Sequence, residues 1–489
     1  MKTIPRAWGR FTGGTAVVSA PVRINAMCAQ RQAIYSALFG CVPEVLFESS
    51  PVVIIYLAML DGGDGFAMFS SAIPGLALTL LLIPGAGLVN RIGLKRSVGI
   101  TCYVSATALL LIALAPLFGK NAAARLIVIA GCFMLAFMRP LFTAAWFPIL
   151  DDILKPEERD VFFGRMRFYY MALTTLLLFG FGTISGKKLP IWMMQLFFLM
   201  ISVMAMGRKM LIDRIPIRED NAGSAIPQHK LKKALQLSMR NSALTGFSIY
   251  VMFLTFAVMA YPPLVFIYLK TGLKAGDNTI MIIAALQMGG TLLGYLFIGK
   301  LLNYCGTKPV QIAVHLAYLG VLIGLTFCGN YPWSIAMIGL LMLIGGFCYA
   351  CYFVYLSVEM LALARPDNRT MTVALCNTFH YAGGTLSRLG GAMMLGSGMM
   401  ATQWSIKSTE FSNFQTILLF FGGCVAFSLI TLMLVPSAVS LREDYYKPPS
   451  RSFSTRKGKN ILPRQINNEA ISTEKGLVYA EVQNPKKGG

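Results

Sequence analysis

The chain has 489 residues, of which 56% are hydrophobic and only 13% are charged. A water-soluble domain carries about twice that charged fraction, so the composition excludes an ordinary soluble protein and predicts one embedded in a lipid bilayer. The ten cysteines lie in apolar runs or near basic loops, where reduced packing residues are expected rather than disulfides or metal ligands. We expect no cofactor.

Twelve apolar segments are long enough to cross a hydrocarbon core about 30 Å thick, which takes about 20 helical residues. The run from 309 to 358 contains no Lys, Arg, Asp or Glu and is divided at Asn330-Tyr331-Pro332, a turn-forming sequence. The sequence therefore predicts an all-α polytopic membrane protein. In chain order the segments are 33–58, 66–89, 97–118, 126–150, 168–186, 189–207, 243–269, 278–299, 309–329, 333–358, 371–399 and 413–436.

The basic residues are distributed unevenly between the two sides that these segments define. The side that holds both termini carries 34 of the 43 lysines and arginines, the other side carries seven, and Arg139 and Arg388 lie within helices. By the positive-inside rule, we expect both termini in the cytoplasm and the protein in the plasma (inner) membrane. The same distribution explains the net charge of +22 without nucleic acid, whose recognition needs a folded basic face.

Two landmarks of the sequence recur in the same order, about 210 residues apart. Internal repeats of this length are typical of transporters built from duplicated membrane units. The first landmark is a basic turn rich in glycine with Asn90, Gly93 and Lys95, and its counterpart has Asn303, Gly306 and Lys308. The second landmark has Lys155, Pro156 and Arg159, and its counterpart has Arg365, Pro366 and Arg369.

The first landmark resembles the signature loop of the major facilitator superfamily. That loop reads Gly, three residues, Asp, Arg, any residue, Gly, Arg, then Arg or Lys. Arg91, Gly93 and Lys95 match it, while Asn90 replaces the aspartate, Ala86 the first glycine and Leu94 an arginine. In the second half Gly299, Gly306 and Lys308 match, and Asn303, Tyr304 and Thr307 depart. The resemblance spans roughly residues 31–436.

The resemblance implies twelve transmembrane helices in two pseudo-symmetric six-helix bundles, with helices one, four, seven and ten lining a central cavity. It also implies a cytoplasmic gate at the repeated loops. Because asparagine cannot carry the charge of the family's loop aspartate, an ionic latch at positions 90 and 303 is in doubt. The candidate gate residues are Asn90, Arg91, Gly93, Lys95, Asn303, Gly306, Lys308, Arg159 and Arg369.

The composition divides the chain into five segments. A cytoplasmic segment, 1–30, precedes the first bundle, 31–207, and a polar, basic linker, 208–240, joins it to the second bundle, 241–436. The linker is expected to hold a short interfacial helix at 229–239. The basic tail, 437–489, has a composition typical of disorder.

Ionised side chains within a membrane are costly and mark candidate functional positions. Glu44 and Glu48 share one face of the first helix at i and i+4, and Arg139 in the fourth lies at a similar depth. Either glutamate could pair with Arg139, and the surplus negative charge would then be balanced by a proton, a cation or the substrate. The alternative is a buried pair that only holds two helices together.

Further candidates lie in helices ten and eleven. Tyr349 and Tyr352 combine rings with hydroxyl groups, which suits a sugar or another amphipathic solute, although packing between helices is an equal alternative. His380 lies at mid-depth and could titrate or serve in packing. Arg388 could contact an anionic substrate group, pair with a carboxylate or extend to the membrane surface.

These features favour a secondary active transporter of a small organic solute, working by alternating access and driven by a proton or sodium gradient. A sugar or an organic anion is favoured as substrate, and a monomer is expected. A drug or metabolite efflux antiporter of the same fold is the nearest alternative. The alternative from another class is a lipid-modifying membrane enzyme or a scaffold without transport activity, but the sequence has no Gly-x-Ser-x-Gly motif for such an enzyme.

Overall fold

The structure is a computed structural model that describes residues 20–49, 51–154, 159–215, 235–236, 238–363, 369–397, 403–406 and 409–434. The chain divides into two units, Met1–Pro448 and Pro449–Gly489, and every described residue belongs to the first. The first 19 residues, most of the predicted interfacial helix at 229–239 and the tail after residue 434 lie outside the described residues.

The first half of the membrane body, here the N-half, contains seven helices. They are α1 (Ala20–Glu48), α2 (Val52–Met59), α3 (Asp64–Ile92), α4 (Leu94–Leu114), α5 (Ala122–Ile153), α6 (Arg159–Ile184) and α7 (Ile191–Asp213). A 3-10 turn, Ala115–Phe118, follows α4.

The second half, the C-half, also contains seven helices within the described residues. They are α8 (Ser242–Val258), α9 (Tyr261–Ile267), α10 (Asp277–Cys305), α11 (Thr307–Thr326), α12 (Ser334–Leu363), α13 (Arg369–Gly396) and α14 (Asn413–Leu434). A π-helical turn, Tyr268–Gly272, extends α9. An antiparallel hairpin of β1 (Gln403–Ile406) and β2 (Thr409–Ser412) precedes α14.

The fold is that of a polytopic helical membrane protein. Among the described residues, ten helical segments are long and apolar enough to cross a membrane, and α1 with α2, which meet at a 55° bend, make an eleventh. The more polar α13 runs antiparallel to α3, with Gly65 beside Gly396 and Gly75 beside Thr385. Helix α13 therefore reaches the same depth as α3, which is consistent with the twelve predicted crossings.

The first crossing differs from its prediction as one continuous helix over 33–58. The structure ends α1 at Glu48 and begins α2 at Val52. Pro51 lies at the break, and because proline has no N–H it cannot continue the hydrogen-bond ladder of α1. Glu48 is therefore the last residue of α1 and lies directly before the bend.

The two repeated loops have the same backbone conformation. Gly93 joins α3 to α4 at φ 95° and ψ 154°, and Gly306 joins α10 to α11 at φ 82° and ψ 170°. This region of φ and ψ is accessible essentially to glycine alone. The repeat therefore encodes a one-residue hinge between consecutive helices in each half. We call the end of the bundle that carries these loops the basic end, and the opposite end, which carries β1 and β2, the hairpin end.

Helix packing separates the two halves and defines the seam between them. In the N-half α5 packs on α3 and α4, and α7 packs on α1 and α4. In the C-half α10 packs on α12, α8 on α13, and α11 on α14. The halves meet where α3 packs against α13 and where α6 packs against α10. These two seams flank the centre of the molecule.

Hydrogen bonds join the halves at the hairpin end. The Asp277 amide, at the start of α10, donates to the Lys187 carbonyl at 3.0 Å, and the Leu189 amide donates to Asp277 Oδ2 at 3.1 Å. Asp277 is buried and also pairs with Lys270. Since Lys187 and Leu189 belong to the N-half and Asp277 to the C-half, these bonds close the seam at this end.

The sequence analysis did not predict the hairpin. Trp404 of β1 stacks on Phe411 of β2 with ring centroids 4.3 Å apart, and Trp404 Nε1 donates to Thr416 Oγ1 at 2.7 Å. Four-residue strands are too short for a clear alternating pattern. The bond to Thr416 holds the hairpin against α14.

Candidate transport site

A cavity of about 170 Å³ lies between the two halves. The first, fourth, seventh and tenth crossings, which the family resemblance predicts as its lining, all contribute, and so do α3, α6, α10, α11 and α13. A water molecule needs roughly 10–15 Å³ of such volume, so the cavity has room for several waters or a small organic molecule. Its charged lining residues are Glu48, Arg139 and Arg388.

Glu48 and Arg139 form an ion pair in the cavity wall, in which Arg139 Nη1 donates to Glu48 Oε2. Their side chains are 17% and 23% exposed, and none of their other polar atoms is buried without a partner. Both residues line the cavity, so the pair is accessible from it. Of the two pairings with Arg139 that the sequence allows, the structure contains the one with Glu48.

Glu44 forms a different ion pair, away from the cavity. Arg208 Nη1 of α7 donates to Glu44 Oε1 at 2.6 Å, and the Arg208 side chain is only 5% exposed. The guanidinium carbon lies 3.3 Å from the centre of the Phe142 ring. On its other side is Gly40, where an added Cβ would lie 2.1 Å from that carbon. Arg208 is thus enclosed by three helices.

The accessibility of the remaining nitrogen atoms distinguishes the two ion pairs. Arg208 Nε and Nη2 are buried and have no hydrogen-bond partner, so no solute can reach them in this conformation. A buried pair of this kind is costly to break, because the remaining charge is left without compensation. We therefore assign the Glu44 and Arg208 pair to the stability of the N-half.

Replacing Arg208 with methionine is expected to lower the stability of the folded protein by about 3–5 kcal/mol, since Glu44 loses the cation with which it pairs among the described residues and stays half-buried. Thermal unfolding of the purified chain in detergent measures the change. Lys209→Met is the matched control, because Lys209 forms an exposed i,i+4 pair with Asp213 that contributes only about 0.3–0.5 kcal/mol. Equal melting temperatures for both variants would contradict the assignment.

Arg208 is not among the predicted site residues, because the sixth predicted crossing ends at residue 207. Helix α7 continues to Asp213, so Arg208 lies within the helix instead of in the linker. A signal was present in the sequence: Met210, Leu211 and Ile212 extend the apolar pattern beyond the arginine. The residues that enclose Arg208 come from α1 and α5, and the sequence of α7 alone gives no indication of them.

Arg388 lines the cavity from α13 and crosses the seam. Its Nη1 donates to the Ser71 carbonyl of α3 at 2.7 Å, and its Nε donates to the Met259 carbonyl, between α8 and α9, at 3.2 Å. The ion pairs among the described residues do not include Arg388. Of the three alternatives that the sequence leaves open, the structure therefore shows neither a carboxylate pair nor extension to the membrane surface.

Aromatic side chains surround the pair of Glu48 and Arg139. Tyr349 lines the cavity and stacks on Phe353 with centroids 6.2 Å apart. His380 also lines it, is 5% exposed, and its Nδ1 is bonded to the Tyr352 hydroxyl at 2.9 Å. Tyr352 lies behind the lining and orients the histidine. Within the described part of the chain, no group of three or more His, Cys, Asp or Glu side chains could hold a metal ion.

Arg167 of α6 bridges the two halves next to the cavity. Its guanidinium carbon lies 5.7 Å from the centre of the Tyr295 ring and 5.3 Å from that of Phe353. Both rings line the cavity. Such contacts between a cation and an aromatic face contribute about 0.5–2 kcal/mol. Arg167 is not among the site residues that the sequence predicts.

The predicted gate residues are described only in part. Arg91 is exposed and Lys95 and Lys308 are half-buried at the basic end, beside the hinge glycines Gly93 and Gly306. The side chains of Asn90, Asn303, Arg159 and Arg369 lie outside the described part of the structure. The gate therefore stays a prediction.

Comparisons with known proteins bear on this architecture. The family model described as the Major Facilitator Superfamily matches residues 47–387, which is more than half of the chain. No curated protein sequence matches the chain. The match covers helices of both halves and confirms the family that the repeated loops predicted.

Solved structures of transporters have a similar fold. A point mutant of the nucleoside transporter NupG has a TM-score of 0.65 and 14% identity, covering 83% of this chain and 99% of that chain. The inward-open xylose transporter XylE from E. coli has a TM-score of 0.56 and 14% identity, covering 87% and 98%. A bacterial homologue of the iron transporter ferroportin, in an inward-facing state, has a TM-score of 0.60 and 12% identity. The match covers 83% of this chain and 98% of that chain.

At these identities the structures show a shared fold and nothing about the substrate. The fold and the family are those of membrane transporters, which favours transport over chemistry on lipids. With two repeated halves, a cavity between them and a family match that extends across both, the chain belongs to the Major Facilitator Superfamily.

Proposed function

We propose that the protein is a secondary active transporter that moves a small organic solute by alternating access and couples the movement to a proton or sodium gradient. The solute binds in the cavity between the halves. The basic end faces the cytoplasm, so that both termini are cytoplasmic and the protein lies in the plasma (inner) membrane as a monomer. The names of NupG and XylE, a nucleoside and a xylose transporter, support a polar organic solute.

The observation that carries this proposal is the ion pair of Glu48 and Arg139 at the seam. It is the ion pair among the described residues whose two members both line the cavity. Charges within a membrane are expensive unless paired or hydrated. In a pair that only held helices together the guanidinium would be enclosed, as that of Arg208 is at 5% exposure against 23% for Arg139. An open pair can exchange its partner for a solute or a proton.

Coupling follows from the charge of Glu48. When the carboxylate binds a proton it no longer neutralises Arg139, which then needs another anion or a changed environment. Because the carboxylate belongs to α1 next to its bend, and Arg139 to α5, loss of the pair alters the contact between two crossings of the N-half. A sodium ion bound to the carboxylate would have the same effect.

The contacts at the hairpin end support alternating access. Asp277 holds the Lys187 and Leu189 backbone of the other half by hydrogen bonds of 3.0 and 3.1 Å. Opening toward the hairpin end requires these bonds to break, while closure at the basic end brings the repeated loops together. Rocking of two halves about a central site is the motion that repeated transporter folds use.

Uptake by the full-length chain in proteoliposomes tests the proposal. Radiolabelled sugars, organic acids, amino acids and nucleosides are offered with an imposed pH gradient, with a sodium gradient and with neither. We expect at least one class to accumulate above equilibrium under one gradient only. Products formed from the lipid with no uptake of any solute would instead indicate a membrane enzyme, and the absence of both would indicate a scaffold.

A further inference from the structure

The charged groups of the cavity do not balance. Of the charged side chains that line it, Glu48 and Arg139 neutralise each other and Arg388 remains as an additional cation. Arg167 adds a second cation against two lining rings, again without an ion pair among the described residues. A cavity between apolar helices that carries excess positive charge attracts an anion, because the surrounding dielectric screens the charge weakly.

The geometry of Arg388 leaves part of its guanidinium available. A guanidinium has five N–H donors, and the contacts to Ser71 and Met259 use one on Nη1 and the one on Nε. Arg388 lines the cavity, and its hydrogen bonds to these two carbonyls do not use Nη2. The two carbonyl contacts, one from each half, fix the plane of the group and lower the entropy cost of binding.

We propose that Arg388 binds the carboxylate of a small organic monoanion, which is the transported solute. This inference rests on the proposed function and names the substrate class of the same cavity. Arginine presents a planar pair of donors that matches a carboxylate. Glu48 already neutralises Arg139, and Arg167 lies against the Tyr295 and Phe353 rings without lining the cavity itself. Arg388 is therefore the one lining cation that remains for the ligand, and a single carboxylate matches it better than two.

The rest of the cavity suits an organic body with a ring or hydroxyl groups. Along α13, His380 and Arg388 are eight residues apart, which corresponds to about 12 Å at the helical rise of 1.5 Å per residue. The lining also includes Tyr261, Tyr349 and Tyr381. A small organic acid would place its carboxylate at Arg388 and its body against the tyrosine rings.

The test uses pairs of solutes that differ in charge but hardly in shape: benzoate and benzamide, nicotinate and nicotinamide, 4-hydroxybenzoate and 4-hydroxybenzamide. Binding to the detergent-purified full chain is followed by the rise in melting temperature with solute concentration. At least one acid is expected to bind about tenfold or more tightly than its amide. Arg388→Gln should abolish the preference, and Arg388→Lys should restore part of it.

Lys188→Gln is the matched control. Lys188 is exposed in the connection between α6 and α7, and the substitution removes one positive charge at the same end of the molecule. It should leave the preference unchanged. If Arg388→Gln prevents folding, the comparison of acids with amides on the unchanged chain is the test. A cavity without an available cation would give no preference for the acid.

Equal binding of acids and amides, binding of neutral solutes alone, or no binding of any acid would overturn the inference. In that case, gradient-driven uptake of a neutral sugar or nucleoside would still support the proposed transport function. If no solute is taken up or bound, both the transport function and the assignment of an anionic substrate are contradicted.

Discussion

Replacing Glu48 with glutamine is expected to abolish gradient-driven accumulation of solute. The substitution keeps the shape of the side chain but removes the charge that neutralises Arg139 in the cavity wall. Removing one member of a desolvated charge pair costs roughly 2–5 kcal/mol, which corresponds to a loss of about 30-fold or more in the step that depends on it. The measurement is uptake into proteoliposomes under an imposed gradient.

Counterflow separates loss of coupling from loss of transport. If Glu48 carries the coupling ion, the glutamine variant should still exchange labelled for unlabelled solute across the membrane without accumulating it. Arg139→Gln should reduce both activities, because Glu48 then lacks its cation. The double variant should restore stability but not accumulation, since the pair is removed without leaving an isolated charge.

Glu44→Gln is the control that the chain itself offers. Glu44 lies one turn before Glu48 in the same helix, but its partner is the enclosed Arg208 and it does not line the cavity. The variant should lower the melting temperature and leave coupling intact in the protein that remains folded. Accumulation that survives Glu48→Gln but fails with Glu44→Gln would reverse the assignment.

Much of the fold could be predicted from the sequence because bilayer thickness fixes the length of an apolar helix. The repeat was equally informative: Gly93 and Gly306 have matching positions in sequence and matching backbone angles in the structure. The bend at Pro51 was not predicted, although proline could have indicated it. The hairpin at 403–412 was not predicted either, since its strands have four residues each.

The candidate site was less predictable, because its partners come from distant helices. Matching depth was enough to suggest the pairing of Arg139 with a first-helix glutamate, but not to choose between Glu44 and Glu48. That choice depends on Arg208, whose burial is set by Gly40 and Phe142. The partners of Arg388 are backbone carbonyls, and since every residue has one, no sequence pattern marks them.

The close approach of α10 and α12 was also invisible in the sequence, and substitutions there are expected to have a large effect on stability. A Cβ added to Gly290 would lie 1.9 Å from the Leu343 carbonyl oxygen, and one added to Gly346 would lie 2.0 Å from the Gln287 carbonyl oxygen. The two glycines thus allow each helix backbone to contact the other. Small residues at four-residue spacing allow this in membrane helices, and Gly294 continues the stripe.

Gly290→Ala and Gly346→Ala are each expected to destabilise the protein strongly. Carbon and oxygen atoms that are not bonded rarely approach within 3 Å, so each methyl group would separate the helices by roughly 1 Å or more. Overpacking of this kind costs about 1–3 kcal/mol or more. The cavity would change too, since α10 contributes Thr291 and Tyr295 to it and α12 contributes Tyr349.

Gly299→Ala provides the comparison within the same helix, because an added Cβ there meets no atom within 4 Å. Alanine is favoured over glycine in a helix by about 1 kcal/mol, so this variant should melt at the same temperature as the unchanged chain or higher. We expect the melting temperature to fall for Gly290→Ala but not for Gly299→Ala. This difference separates the effect of contact between the helices from the intrinsic preference of alanine for a helix. Unchanged melting temperatures for Gly290→Ala and Gly346→Ala would show that α10 and α12 are further apart than the structure places them.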